Sequence, residues 1–573
     1  MRPERSAWRG SIPGLMVALV VLGCAGPPGP ATDAASREAG PSTGPKRITA
    51  AMMGNPIGVD VRFIGGGSGG GVPGQGQLGE LVGSGLTIPD AGGETRGSGS
   101  IRPRLSEAVP SVENGLWRVF PDGRMETTWK IRPGALWHDG QPVTSADVLF
   151  TTALEQDREL PIVRKPVYGL IERIEAPDRA TVTVRWKQPY IEADTLFNIS
   201  LVPKHLLEPA YLESKEAFAN NQMAWSQEYI GAGPYRIKAW ARDSHVELQA
   251  FDGFVLGRPK IDEIVVKFLA DERAFMANIL ANAVDVTVGK SVTHEQTVEV
   301  GRQWKDGHFV LRPSNTIKLW PQFIDPALPL ILNVQFRKAL MHAIDRQQMV
   351  DALLSGESQV AHSEMLAGEE YLPEAEALIV KYDYDPRKAI QLIEGLGYQR
   401  GADGMFADGR GERLTPQVQA TDEDQNVKPM LAVVDYWRQA GVAAESYVIP
   451  IQRQDDREFR ATFPGFNLQG STSGWRRVIE TTGDQARLPS NNYTGRNYAR
   501  YQNAELDALI SRFISTIPIK ERVEALQRTM QHWTDQLVGM SLYYAMTSSF
   551  ISNRMVNAGF SPSWNAHEWD VKA

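Results

Sequence analysis

Residues 230–268, IGAGPYRIKAWARDSHVELQAFDGFVLGRPKIDEIVVKF, contain three short runs of alternating apolar residues: Tyr235/Ile237/Ala239, Val246/Leu248/Ala250 and Ile264/Val266/Phe268. A period of two puts each set on one face of a strand. Turn formers separate the runs, Asp243-Ser244 first and then a cluster from Phe251-Asp252-Gly253 to Gly257-Arg258-Pro259. The segment therefore reads as a compact antiparallel meander. We expect it to belong to the platform that joins two lobes around a binding cleft, with one lobe before it and most of another after it.

The 573 residues exceed one ordinary core, and about three units are expected. Sixty basic residues face 68 acidic ones, so the chain has no basic footprint and nucleic acid is not an expected partner. At the N-terminus, Arg2, Arg5 and Arg9 precede an apolar run at 15–22 that is too short to span a bilayer, and Gly23-Cys24 follows at once. The order of charge, apolar run, small residue and cysteine predicts a signal peptide over 1–23. Cys24 is the one cysteine, so no intrachain disulfide can form. Residues 24–46 are rich in Pro, Gly, Ala and Ser and read as a flexible tether. No later stretch is apolar over the ~18 residues a spanning helix needs.

Arg47–Met53 reads as a first strand. Glycines crowd 65–85, where Gly74-Gln-Gly76-Gln-Leu-Gly79 fits GxGxxG and Gly66-Gly-Ser68-Gly-Gly70 fits GxSxG. Neither has the strand–turn–helix context its chemistry needs, so a flexible loop is expected instead. Thr144-Ser-Ala-Asp147 has the spacing of a capping box and predicts a helix after it. His138 lacks a partner at metal-ligand spacing and should use its ring structurally. Asp271 should cap a helix, Asn333 one that continues to Gly356, and Asp385-Pro386 another that ends at Gly397. From about Ile317 helices and strands alternate, which argues for an α/β lobe.

Several motifs now fall in order: Leu105-Ser-Glu-Ala108, WKIRPG at 129–134, WHDGQPVTSADV at 137–148, GAGPY at 231–235, GRPKIDEI at 257–264, FRKALMHAIDR at 336–346, YDPRKA at 384–389 and NAELDAL at 503–509. Together they resemble the family 5 extracellular solute-binding proteins, the lipid-anchored receptors of dipeptide, oligopeptide and nickel ABC importers. Val21-Leu22-Gly23-Cys24 likewise resembles the bacterial lipobox, which implies cleavage before Cys24 and attachment of lipid to its sulfur.

The resemblance implies an α/β fold, a periplasmic-binding-protein-like type II (cluster C) two-lobed clamp with an extra domain. Domain I would comprise 47–66, 230–316 and 541–573, domain II 67–229 and domain III 317–540. Ligand would bind between domains I and III, which close by hinge motion, and the closed form would dock on the transmembrane subunits of an ABC permease. The expected protein is a monomer held at the membrane by its N-terminal lipid, capturing a peptide or other small solute, with no enzyme activity and no cofactor. Peptide-binding relatives commonly place an Asp in the domain III loop that matches 470–477, and no acid is present there. Where dipeptide-type relatives often carry an Arg, residues 421–426 are acidic instead.

Candidate ligand residues are Asn55, Trp320, Asp422, Trp475, Arg476, Asn492 and Tyr493, a mixture of broad aromatic faces and adaptable polar groups suited to a small-molecule cleft. Arg476 would pair an anionic group, whereas Asp422 would select a cation. Two alternatives remain. A receptor for a cationic or metal-chelate solute has no paired histidines to support it. A secreted serine hydrolase has Ser68 as its one motif-like nucleophile.

Overall fold

The computed structural model describes residues 44–60, 62–63, 72–89, 101–160, 162, 165–289, 292–366, 369, 371–454, 456–560 and 562–572. The signal-like run, Cys24, most of the tether and Ser68 lie outside these residues. The fold is organised by a ten-stranded mixed sheet. Its order is Glu445–Ile449, Gln417–Thr421, Phe466–Thr472, Gly307–Pro321, Met540–Ser552, Val286–Thr287, Arg47–Met53, Glu263–Leu269, His245–Ala250 and Tyr235–Ala241.

Two long antiparallel strands, Gly307–Pro321 and Met540–Ser552, hold the middle of this sheet. Their 307–312 and 547–552 ends pair with each other, and Ile551 also pairs with Val286. The opposite end of Gly307–Pro321 also pairs with Phe466–Thr472 on its other side, as Leu319 does with Leu468. The sheet thus serves two lobes. One is packed around Ile48, Leu248, Ile264 and Val266, and the other around Leu340, Val418, Trp437 and Leu468. Between the two the register shifts twice, once between Pro313 and Asn315 and once between Ile317 and Lys318. Such bulges bend a strand and suit the missing N–H of Pro313.

The meander forms as the alternation predicts, with Ile264 opposite Leu248 and Tyr235 opposite Ala250. It does not stand between the lobes, however. It closes one edge of the sheet, and the two long strands do the joining. A register shift between Ile237 and Ala239 also turns Ala239 outward and brings Trp240 against Phe268, with ring centroids 5.7 Å apart.

A separate four-stranded sheet, Trp117–Val119, Met125–Lys130, Thr181–Trp186 and Ile171–Glu175, packs on Trp129, Trp137 and Trp186. Helix Ser145–Gln156 begins at the expected box, where the Thr144 N–H donates to Asp147 Oδ2 at 2.8 Å. Asp271 caps Glu272–Leu280 by accepting the Ala274 N–H at 2.8 Å, and Asp385 caps Pro386–Gly395. The single helix expected from Asn333 to Gly356 is two, Val334–His342 and Arg346–Leu354, because Asp345 starts a new cap on the Gln348 N–H.

Part of the expected glycine loop is a helix, Gln75–Val82, with Leu78, Leu81 and Val82 fully buried. Gly74 and Gly79 permit close packing here, and Gly74 also takes a left-handed φ of 91°. A Cβ on Gly79 would lie 2.9 Å from the Val59 carbonyl oxygen, and one on Gly74 would strike that of Val288. Gly231 and Gly233 are small for the same reason, since the 231–233 backbone runs against Val82 and the Gly233 N–H donates to its carbonyl at 3.0 Å. His138 locks this contact. Its Nδ1 accepts from the Gly231 N–H at 3.2 Å, and its Nε2 lies 3.1 Å from the Gly233 oxygen. Burial pushes the imidazole down to about 4, so the ring is neutral and structural.

Candidate functional site

Gln417–Thr421 and Phe466–Thr472 run parallel, and in an α/β sheet the carboxyl ends of such strands are where ligands are met. The loops leaving both ends are tied together by Asn426. Its amide donates to Thr421 Oγ1 at 2.8 Å, and its oxygen accepts the Gly470 N–H at 3.1 Å. Past Thr472 the chain turns at Gly474, φ 105°, into the short helix Trp475–Ile479. The Trp475 N–H donates to Glu369 Oε1 at 3.1 Å, and its buried ring meets Phe513 edge-on at 5.1 Å.

Here the two sides of the molecule touch. Arg476 forms an ion pair with Glu192, which precedes the short turn Ala193–Thr195 of the unit built on the small sheet. Beside it the Ile191 N–H donates to the Ile514 carbonyl at 2.9 Å, and Ile191 packs into the cluster holding Trp475 and Phe513. The Arg476 guanidinium lies 4.7 Å from the centroid of its neighbour Trp475. Burial, followed by the charge of Glu192, raises the Asp194 carboxyl to about 7, and burial lowers Lys165 to about 8. On another side, helix His294–Gln303 approaches the second lobe, with His294 Nε2 3.6 Å from Glu357 and Glu295 3.6 Å from Lys428.

Of the candidate residues, Trp475 and Arg476 are brought together at this contact. Asp422 is exposed just beyond the end of Gln417–Thr421. Trp320 is fully buried between Tyr498 at 5.8 Å and Trp533 at 6.1 Å, so packing occupies its faces. The Asn55 amide donates to Asp243 in the meander's first turn. Asn492 and Tyr493 sit in a turn with φ of 50° and 56°, and the Tyr493 hydroxyl donates to Glu458 at 2.9 Å. Sequence reasoning missed Glu192, Asp194, Lys165 and Asn426. No local pattern marks them, and Glu192 lies 284 positions from Arg476.

Two cavities lie elsewhere in the described structure. One of about 350 Å³ is lined by Ser358, His362, Ser363, Glu376 and Tyr544, next to the second long strand. Another of about 600 Å³ lies between Leu256, Arg258, Lys260, Asn565 and His567 in the meander's lobe. None of the seven candidate residues lines either. Among the described residues, no group of three or more His, Cys, Asp or Glu side chains could hold a metal ion. No described helix is long and apolar enough to cross a membrane.

Two α/β lobes joined through a shared sheet, with loops meeting across the gap, define a type II periplasmic-binding-protein clamp. Solved structures agree on that fold. NikZ of Campylobacter jejuni, solved with Ni(L-His), matches with a TM-score of 0.72 at 20% identity, covering 92% of this chain and 99% of its own. AppA of Bacillus subtilis, solved with a nonapeptide, matches with a TM-score of 0.71 at 18% identity, covering 92% and 100%. A Brucella ovis protein named for a peptide-binding role in an ABC transporter is 29% identical over 285 residues, 50% of this chain and 51% of its own length. The chain thus spans about half the length of that relative. The family of bacterial extracellular solute-binding proteins, family 5, matches residues 107–476, and the chain belongs to it.

Proposed function

We propose that this chain is the extracytoplasmic receptor of an ABC importer, capturing a peptide or related small solute and handing it to the transmembrane permease. The observation that carries the reading is the contact made by Trp475 and Arg476 with Ile191 and Glu192, formed by loops at the carboxyl ends of parallel strands. A solute held there is enclosed when the lobes close and released when they part. The bulged middle of the two long strands, at 313–318 and 541–546, supplies the bending point. In this reading domain I is 47–66 with 230–316 and 541–573, domain II is 67–229 and domain III is 317–540. Cys24 carries the lipid that keeps the monomeric receptor at the membrane. Only differential affinity for the closed form lets a solute drive closure.

Arg476 changes what the site prefers. With its guanidinium placed on Glu192, the loop offers no carboxylate to a free peptide amino terminus. Among the family's solutes this favours those without that group. The test is native mass spectrometry of the full chain purified without stripping. A stoichiometric small solute, lost on partial unfolding and regained from the extract, is expected. A chain that carries none and regains none contradicts the reading.

A further inference from the structure

Four guanidinium groups gather behind Trp475 in the second lobe, and the described residues give them little negative charge. Arg477 is only 4% exposed. Its Nη1 lies 3.0 Å from Glu480, its Nη2 donates to the Arg496 carbonyl at 2.8 Å, and its Nε is buried with no partner. Arg496 shares the same Glu480 at 2.9 Å. The Arg487 guanidinium is 3.7 Å from the Tyr498 ring centroid and donates to the Gly495 carbonyl at 2.8 Å, while Arg477 faces the same ring at 4.9 Å.

Arg460 completes the group, reaching the Gln454 carbonyl at 3.2 Å and Gln469 at 3.4 Å. Gln469 ends a ladder of buried amides, with Gln419 donating to Asn467 at 3.2 Å and Asn467 to Gln469 at 3.3 Å. Among the described residues, Glu480 is the one carboxylate paired with any of the four. Burial lowers Arg487 to about 10. It also pushes the Tyr498 phenol up, but Arg487, Arg477, Arg460 and Arg496 outweigh that and hold it below its ordinary value. Arg460 and Arg487 have no carboxylate partner among the described residues, and one Glu480 serves both Arg477 and Arg496. A cation buried with too little counter-charge is costly, and a bound anion relieves the cost.

We propose that this cluster is an oxyanion-binding site in which Arg477 and Arg487, flanked by Arg460 and Tyr498, take a carboxylate or phosphate group. Guanidinium forks match both groups bidentately, and the orphaned Arg477 Nε supplies a donor already stripped of water. The site does not rest on the receptor reading, because a free inorganic anion and an anionic group of a captured solute share the same chemistry.

The test titrates the full chain with inorganic phosphate and with acetate at constant ionic strength, chloride serving as control, by calorimetry and thermal unfolding. Saturable binding is expected with at least one of the two, weakened at least roughly tenfold in Arg487→Gln. If Arg487→Gln does not fold, Arg460→Gln should still weaken binding several-fold. Competition with solute extracted from the purified protein separates the sources: displacement assigns the anion to the solute, and simultaneous binding makes it a resident ion. Both anions behaving as chloride does would overturn the proposal. So would an ultraviolet tyrosinate band near neutral pH that disappears in Tyr498→Phe, since the cluster would then hold its own anion.

Discussion

Trp320 and Asp422 show how two residues that both suggest ligand contact end in opposite environments. Both look like ligand residues in a sequence, but Trp320 is enclosed by Tyr498, Trp533, Lys318 and Arg477, whereas Asp422 is exposed. Trp320→Ala should cost about 3–5 kcal/mol in denaturant unfolding, and Asp422→Ala should stay within about 0.5 kcal/mol. Equal losses would contradict these placements. Asp194 carries the pH dependence. Its folded pKa is raised to about 7, so its contribution to stability is fully present below the unfolded carboxylate range of ~4 and is lost as pH rises through about 7. The difference in Tm between wild type and Asp194→Asn should therefore fall steadily across that window. A constant difference would show that Asp194 is not held in this environment.

At the scale of elements, what could be read from the sequence follows from how many faces of each segment are buried. The strands at 246–250 and 264–268 alternate because one face meets a single core, and their pairing follows the pattern. The sequence pattern does not mark the long strand Gly307–Pro321 as an element; Ile317 marks only where alternating helices and strands are expected to begin. The strand's first half mixes exposed and partly buried positions with no two-residue alternation, and Pro313 lies where the structure has a bulge. Helix Gln75–Val82 was hidden by glycines that serve close packing. The site was legible only in part: loop position and residue type suggested Arg476, but its partner Glu192 comes from a distant unit that no local spacing reveals. The packing of Gly231 gives a test at this scale. Its added Cβ would clash with the Val82 carbonyl, so Gly231→Ala should destabilise by about 1–3 kcal/mol in denaturant unfolding. A neutral result would mean that the 231–233 segment and Val82 do not touch as described.

Across the whole molecule, the two lobes share one sheet but keep separate cores, so closure can bend the long strands without repacking either interior. In the proposed clamp the partly exposed Glu192–Arg476 pair adds modestly to closure, and an enclosed solute provides the larger share. Glu192→Gln should therefore shift the solute-free protein toward the open form and speed release of bound solute, read by stopped-flow displacement, while unfolding stability changes little. Unaltered release would leave the pair without a role in closure. The most direct measurement is small-angle scattering on the full chain, first as purified, then stripped of solute by partial unfolding and refolding, and finally with the extract restored. A radius of gyration that increases on stripping and contracts again on restoration is the expected result. Three superimposable scattering curves from samples shown to differ in bound solute would contradict the clamp.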